Sequence, residues 1–487
     1  MRVLLAPTGS RGDVTPLVAL AHGLQEAGHD VLLLVPAGMT DFVASRGLPV
    51  VSAGSDVTAL LERHAGSLSD PVAVFKILVR ETARELRAQI AALEARAGEF
   101  DLVLGAGVQL GASSVCAALG VPYRSVMYTP AAQPSRHYAP FWVPKRDLPQ
   151  WTHRWLHLLP DAMTGLVALG PLQRWRRAHG LPRVAYPVDA LVGERPMLAV
   201  DPRLATPAPD VWPPIESIGW LRPDPRNEPG GATLEPALEA FLQAGPPPLY
   251  LGYGSMVDAD AAGTLELARR LCQAGHRVVV ARGWSKAVAS PDERRMLVID
   301  GAPHGLLLPR CAGAIHHGGA GTTHASAVAG IPQLLVPHLL DQFDWADRIF
   351  RLGLGPAPIS RRQLDADGLL AAAARIADDG AMRARAAEVG AAIAAVDAVG
   401  RTVQQLERFV LAWHATPATL RGPWSAAAAR SGRLARPAPA ELRERHGDAV
   451  APLPPLPPRP KPPWLEPPAL VVGAGVGAAA AALWFRG

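Results

Sequence analysis

From Cys311 to Asp347 the chain concentrates residue types that can hold a phosphate and read hydroxyl groups. Ala312 to Ile315 is a short apolar run. It empties into His316-His317-Gly318-Gly319-Ala320-Gly321, where only small residues let backbone amides point outward at a ligand. Thr322 and Thr323 open a helix, Gly330 and Pro332 end it, and Gln333 to Pro337 is a second strand. Free amides and the positive end of a helix dipole converge on the turn, a geometry that favours an anion, most often a phosphate. His317 adds a donor at the lip of the turn, although a histidine there can also simply cap its strand. Just beyond the second strand, Asp341 supplies an acceptor carboxylate and Gln342 an amide that both gives and accepts. Phosphate donors followed by a hydroxyl reader suit a sugar nucleotide; the plainer reading makes Asp341 and Gln342 loop polars.

A second candidate stands at the start of the chain. Val3 to Ala6 and Val31 to Val35 read as strands around a helix from Thr15 to Ala27, the β-loop-α-β opening of a parallel sheet. The loop Thr8-Gly9-Ser10-Arg11-Gly12-Asp13-Val14-Thr15-Pro16 lacks the Gly-x-Gly-x-x-Gly spacing of a dinucleotide fingerprint, which argues against an oxidoreductase. Its chemical feature is Asp13, a carboxylate at a helix start. That position suits a general base, or an acidic residue that satisfies the helix dipole.

These stretches resemble family 1 glycosyltransferases, of the branch that includes sterol glucosyltransferases and bacterial enzymes acting on antibiotics and lipids. The donor signature and the Gly-Ser-Arg-Gly-Asp-Val of residues 9–14, with Gly28-His29-Asp30-Val31 downstream, carry the resemblance, which covers residues 1–410. It implies His317, Gly319, Gly321 and Thr322 on the donor diphosphate, with Gly12 and the Gly254-Ser255 turn close by. It further implies Asp341 and Gln342 on the hexose, and Asp13, where plant relatives place a His, as the base that deprotonates the acceptor, directly or through a neighbouring His. Plant members begin the signature with a Trp that stacks on uracil, and the matching residue here is Gly301. The base must then be held otherwise, by Ala302 and Trp284, which leaves UDP and dTDP donors both open.

The elements that must position these residues alternate along the chain. Strands at Gly47–Val51, Asp101–Gly105 and Val121–Met127, then Leu249–Tyr253, Arg277–Ala281 and Met296–Ile299, are separated by helices such as Pro71–Ala97 and Leu110–Leu119. This predicts an α/β fold of two doubly wound Rossmann-like domains facing across a cleft, the glycosyltransferase-B arrangement, with a Pro-rich C-terminal tail. The expected division is an acceptor domain over 1–220, a linker over 221–246, a nucleotide-sugar domain over 247–400 and a crossover helix over 401–415. A Pro-rich basic linker over 416–468 and an apolar segment over 469–487 follow. Between Tyr128 and Trp175 a Pro-broken, aromatic insertion offers Tyr138, Phe141 and Trp142 as an acceptor pocket, while Trp151 and Trp155, at helical spacing, read as core.

Composition agrees with a globular enzyme: 487 residues, 49% hydrophobic and 19% charged. Cys116, Cys272 and Cys311 are too scattered for a metal or disulfide pattern, and no secretory signal is legible, so a reducing, cytoplasmic setting is expected. Asp258-Ala-Asp260 and Asp365-Ala-Asp367 precede Ala/Leu-rich helices and read as caps, so no metal and no cofactor beyond the sugar-nucleotide co-substrate is expected. Residues 416–487 hold nine Lys or Arg against four Asp or Glu and so carry the whole +5 net charge. A basic proline spacer followed by 17 uncharged residues, 469–485, makes that end a candidate membrane contact through residues 469–486, at the cytoplasmic face. No nucleic-acid partner is expected. The expected reaction is inverting transfer of a hexose, glucose from UDP-glucose, to a hydroxyl of an apolar acceptor such as a sterol or lipid. The alternative is a non-catalytic, membrane-tethered protein that binds sugar nucleotides or lipids.

Overall fold

The computed structural model describes residues 1–54, 71–141, 143–144, 147–157, 169–184, 186–229, 231, 233–254, 261–282, 294–430, 437–447 and 450–459. Its first sheet has seven parallel strands: β1 (Arg2–Thr8), β2 (Asp30–Val35), β3 (Val50–Ser52), β4 (Leu102–Gly107), β5 (Tyr123–Met127), β6 (Met197–Leu198) and β7 (Glu216–Ser217). The order is β3-β2-β1-β4-β5-β6-β7, with Val3 opposite Val31 on one side and Leu102 on the other. Val3, Leu4, Leu5 and Ala6 are all buried, as a central strand covered on both faces requires. One face packs against α1 (Arg11–Glu26), the other against α2 (Pro71–Glu94), α3 (Ala112–Leu119) and α4 (Pro187–Val192).

The second sheet has five parallel strands, β8 (Leu249–Gly252), β9 (Val278–Ala281), β10 (Met296–Ile299), β11 (Gly313–His316) and β12 (Gln333–Leu335), in the order β10-β9-β8-β11-β12. Its faces are covered by α5 (Pro236–Gln243) and α7 (Ala320–Val328) on one side. On the other lie α6 (Ala261–Gln273) and α9 (Ala366–Asp378). The linker expected over 221–246 is therefore shorter, because α5 buries Leu238, Phe241 and Leu242 in this domain's core. Met127, Val192, Leu198, Val200 and Leu204 of the first domain form one apolar cluster with Leu335, Trp345, Ile349, Val389 and Ile393 of the second. The latter residues belong to β12, α8 (Gln342–Arg351) and α10 (Gly380–Ala394). That shared cluster fixes the two sheets against each other.

The last long helix, α11 (Ala398–Ala415), crosses back and packs Val403, Leu406, Val410 and Trp413 onto α1. The spacer expected from 416 onward is corrected up to Arg459. There α12 (Pro423–Arg430) and α13 (Ala440–His446) dock on the first domain, because Trp424, Ala428 and Leu442 are apolar enough to join its core. Glu194 accepts from the Trp424 amide (2.7 Å), and the buried Arg176 lies over the Trp424 ring (4.4 Å). The proline run supplies carbonyls: Arg195 donates to Pro454 O (2.6 Å) and Trp212 Nε1 to Pro457 O (2.9 Å). Arg459 grips Asp189 with two hydrogen bonds of 2.8 Å, between the rings of Tyr186 and Trp212. Trp151, expected in the core, is 59% exposed, since its short helix turns that face outward. Among the described residues no helix is long and apolar enough to cross a membrane; residues 469–487 lie outside them.

The buried carboxylate of Glu407 on α11 receives Arg445, His446 (2.7 Å) and His29 (2.9 Å). Burial alone would raise its pKa, but His446, Arg445 and His29 together hold it below the usual value. Glu407→Ala is expected to destabilise the protein by about 3 kcal/mol by leaving Arg445 and two imidazole donors without their partner. A urea midpoint equal to that of the parent protein, read by tryptophan fluorescence, would show that docking of the tail does not depend on this carboxylate.

Candidate active site

Both sheets reverse their strand order between two central strands, β1 and β4 in the first, β8 and β11 in the second. Loops leaving such a pair diverge to opposite faces and open a crevice at the carboxyl ends of the strands. Asp13 sits in the first crevice. It belongs to the first turn of α1, where Ser10 N donates to its Oδ2 (2.8 Å) and Gly12 N to Ser10 Oγ (3.3 Å). The capping role weighed from sequence is thus real, but it uses one oxygen only. Oδ1 faces Gly107 at the end of β4, where a Cβ would come within 3.1 Å of it and would overlap the Thr8 carbonyl. Gly107 also has φ +66°, so glycine is required there twice over. Burial raises the Asp13 carboxyl to about 6. Among the described residues Asp13 makes no hydrogen bond to a histidine, so the structure offers no histidine relay of the kind the resemblance allowed.

The second crevice holds the glycine turn. His316, fully buried at the end of β11, accepts from Gly318 N at Nδ1 (3.1 Å), so its proton is on Nε2, which donates to Gln333 Oε1 (2.8 Å). Gln333 Nε2 in turn donates to Thr323 O (3.2 Å). This network fixes the turn from behind. His317 projects between two glycines: a Cβ on Gly254 would lie 2.8 Å from its Cε1, and one on Gly319 would overlap its Nε2. Burial, then His316, His338 and His304, push its pKa down to about 3. The ring is therefore neutral, and its Nδ1 is buried without a hydrogen-bond partner. Gly319 caps α7 without any side-chain acceptor, so the first-turn amides at Gly321 and Thr322 receive no cap from it.

Asp341 caps α8 without a side-chain hydrogen bond of its own. Burial first, then the charges of Asp13 and Asp344, raise it to about 7. The Trp345 indole N–H pulls the other way, but without a well-formed hydrogen bond. Asp13 and Asp341 therefore feel one another across the cleft. Gln342 is buried, and its Oε1 accepts from His338 N (2.8 Å) and Leu339 N (3.1 Å), tying down a loop in which Leu340 has φ 54°. Its carbonyl positions the loop, a role that sequence reasoning missed; the His316–Gln333 pair is another.

Other expected site residues are more scattered. Tyr138 lies at the domain seam: its hydroxyl donates to Thr206 O (2.9 Å) and Arg348 of α8 lies over its ring (4.4 Å). Phe141 is half-buried in the same loop, with its amide on Ala131 O (3.4 Å). Ala302 packs beside the second domain's core, and a Cβ at Gly301 would meet nothing within 4 Å. Asp365 caps α9 through Gly368 N (2.8 Å), as expected. Trp142, Ser255, Trp284, Asp258 and Asp260 lie outside the described residues.

Both carboxyls stand above the ordinary value of 3.8. The folded protein holds these protons more tightly than the unfolded chain, so raising the pH through about 6 and 7 removes stability. Asp13→Asn is expected to raise the thermal midpoint above pH 7 and to change it little near pH 4. Equal midpoints at both pH values would contradict a raised Asp13.

Residues 3–130 match the glycosyltransferase family 28 N-terminal domain, and residues 267–409 match the erythromycin biosynthesis protein CIII-like C-terminal domain. Over 367 residues the chain is 36% identical to vancomycin aglycone glucosyltransferase of Amycolatopsis orientalis, covering 73% of this chain and 86% of that protein. It is 30% identical over 393 residues to sterol 3-beta-glucosyltransferase UGT80B1 of Arabidopsis thaliana, covering 76% of this chain and 62% of that one. The crystal structure of the kitacinnamycin glycosyltransferase superposes with a TM-score of 0.63 at 19% identity, over 84% of this chain and 99% of that one. The sheets, their facing crevices and these relationships together make the chain a hexosyltransferase of glycosyltransferase-B fold, which belongs to the family 1 glycosyltransferases in their antibiotic and sterol branch.

Proposed function

We propose that the enzyme moves glucose from UDP-glucose to a hydroxyl of an apolar acceptor, a sterol, lipid or similar secondary metabolite, with inversion at the anomeric carbon. The observation that carries the reading is Asp13, a carboxylate raised to about 6 in one crevice, facing the glycine turn and Asp341 of the other. In this reading Asp13 Oδ1 takes the acceptor proton as the acceptor oxygen attacks C1. The C1–O bond to the diphosphate breaks on the opposite face, and its electron pair leaves with the diphosphate. The first-turn amides of α7 and the neutral His317 receive that charge without a metal, and Asp341 holds sugar hydroxyls so that attack is in line. The raised pKa of Asp341 lets it serve as donor as well as acceptor to those hydroxyls.

Two further features support the donor and acceptor. Both relatives named above are glucosyltransferases by name. The cleft rim is apolar: Val108 beside the Asp13 crevice is 60% exposed, and Leu339 and Leu340 beside Asp341 are 41% and 49% exposed. Gly12, expected on the diphosphate, spends its amide on Ser10 Oγ (3.3 Å), so in this reading the diphosphate contacts come chiefly from the second domain. The basic tail extends the proposal to the cytoplasmic face of a membrane, through residues 469–486; cosedimentation with anionic vesicles tests that placement.

The direct test incubates the full chain with UDP-glucose or dTDP-glucose and a panel of sterols, lipid extract and glycopeptide aglycone, and follows free nucleotide and new glycoside by mass spectrometry. A β-glycoside from UDP-glucose is expected; retention of α configuration would overturn the in-line mechanism. Asp13→Asn should lower kcat by about 100-fold or more while donor KM stays within a few fold. Its parent's kcat/KM should rise through about pH 6, where Asp13 ionises. Gly319→Ala, which drives a methyl into His317, should instead weaken UDP binding by about tenfold in calorimetry. Unchanged turnover in Asp13→Asn would remove Asp13 from the mechanism.

A further inference from the structure

A fully buried carboxamide stands on the loop that leaves the carboxyl end of β5, with no hydrogen-bond partner among the described residues. Gln133 follows the turn Pro130–Ala132 at the end of β5 and has 0% exposure. Among the described residues neither its Oε1 nor its Nε2 has a hydrogen-bond partner. A buried amide without a partner in the protein destabilises the fold, whereas an apolar side chain of the same length would not. Packing therefore gives no reason for glutamine here.

Its place in the fold suggests another reason. The loop begins at Tyr128, whose hydroxyl donates to the Asp13 backbone carbonyl (2.7 Å), and then runs along α8, the helix that Asp341 caps. Thr129 donates to Asp344 (3.5 Å) and Tyr138 lies under Arg348 (4.4 Å), so contacts to α8 bracket Gln133 on both sides. Ala132, its neighbour, packs on the apolar cluster that contains Trp345. The loop that carries the amide thus runs from the Asp13 crevice to the helix that Asp341 caps.

We infer that Gln133 sets acceptor specificity by bonding a second hydroxyl of the acceptor, distinct from the one that attacks, once the acceptor parts this loop from α8. The inference rests on the acceptor reading proposed above. A carboxamide offers one acceptor and two donors, which suits a hydroxyl and rejects a hydrocarbon edge. Because the amide is already buried in the free enzyme, a hydrogen bond from the acceptor brings little fresh burial on the protein side. An acceptor without that hydroxyl leaves the amide unpaired and is discriminated against. The long Thr129–Asp344 contact is the one that yields on entry.

The test compares the full-length enzyme with Gln133→Met, and with Gln133→Leu as a second apolar replacement, using UDP-glucose with a polycyclic mono-ol and its diol isomers. Expected are a thermal midpoint raised by about 1–3 °C, loss of a preference of about tenfold for one diol, and unchanged KM for UDP-glucose. A lowered midpoint in both variants would show that the amide is paired, with a buried water, and is structural. A raised midpoint with the diol preference intact would show an unsatisfied group without a role in recognition. Either result overturns the inference and leaves the transferase reading in place. Absence of transfer to any acceptor by the parent enzyme, with UDP-glucose bound, would overturn the acceptor reading and this inference with it.

Discussion

The chemistry of this protein depends on where its two parallel sheets reverse direction. Between β1 and β4, and between β8 and β11, successive connections leave for opposite faces, and the backbone opens at the strand ends. Asp13 opens the helix that follows β1, Gly107 ends β4, and Gly254 and His317 stand just past β8 and β11. The apolar cluster shared by Met127, Leu198, Leu335 and Trp345 holds the two crevices toward each other. Burial raises Asp13 to about 6, and burial together with the charges of Asp13 and Asp344 raises Asp341 to about 7.

The donor side is built by leaving atoms out. Glycine at 254 and 319 makes room for one imidazole, and α7 begins without a side-chain cap on its amides. His316 does the opposite work. Both its nitrogens are committed inward, to Gly318 and Gln333, so of two adjacent histidines one holds the backbone while the other keeps a ring nitrogen without a partner among the described residues. A neutral His317 can donate a hydrogen bond without adding a formal charge to a buried site. Gln342 makes a similar division on the next loop, its carbonyl spent on His338 and Leu339 so that Asp341 is presented.

The extension after α11 is part of the first domain's surface. Glu194, Glu407 and Asp189 each hold a different point along it, and each lies on or beside an element that also packs under the first sheet. Prolines that cannot donate to a sheet still offer carbonyls, and here Arg195 and Trp212 take them up. The matched family models end at residue 409, before this extension.

The sequence by itself determined the element types, the parallel sheets and the donor turn. Those rest on local rules: apolar runs of strand length, glycine before a helix, an acidic residue in the first turn. It also marked Asp13, His317 and Asp341 as residues with chemistry to offer. It could not separate His316 from His317, because the distinction is made by Gln333 on another strand. It offered Tyr138 for a pocket because aromatics cluster there, and could not show that Arg348, far along the chain, lies over the ring at the domain seam. Proline density read as a spacer, since composition records a residue's inability to join a sheet and is silent on which distant arginine will bond its carbonyl. Only the tertiary structure decided the coupling of Asp13 to Asp341 and the isolation of Gln133, because burial and the field of a distant charge are properties of the folded arrangement and leave no period in the chain.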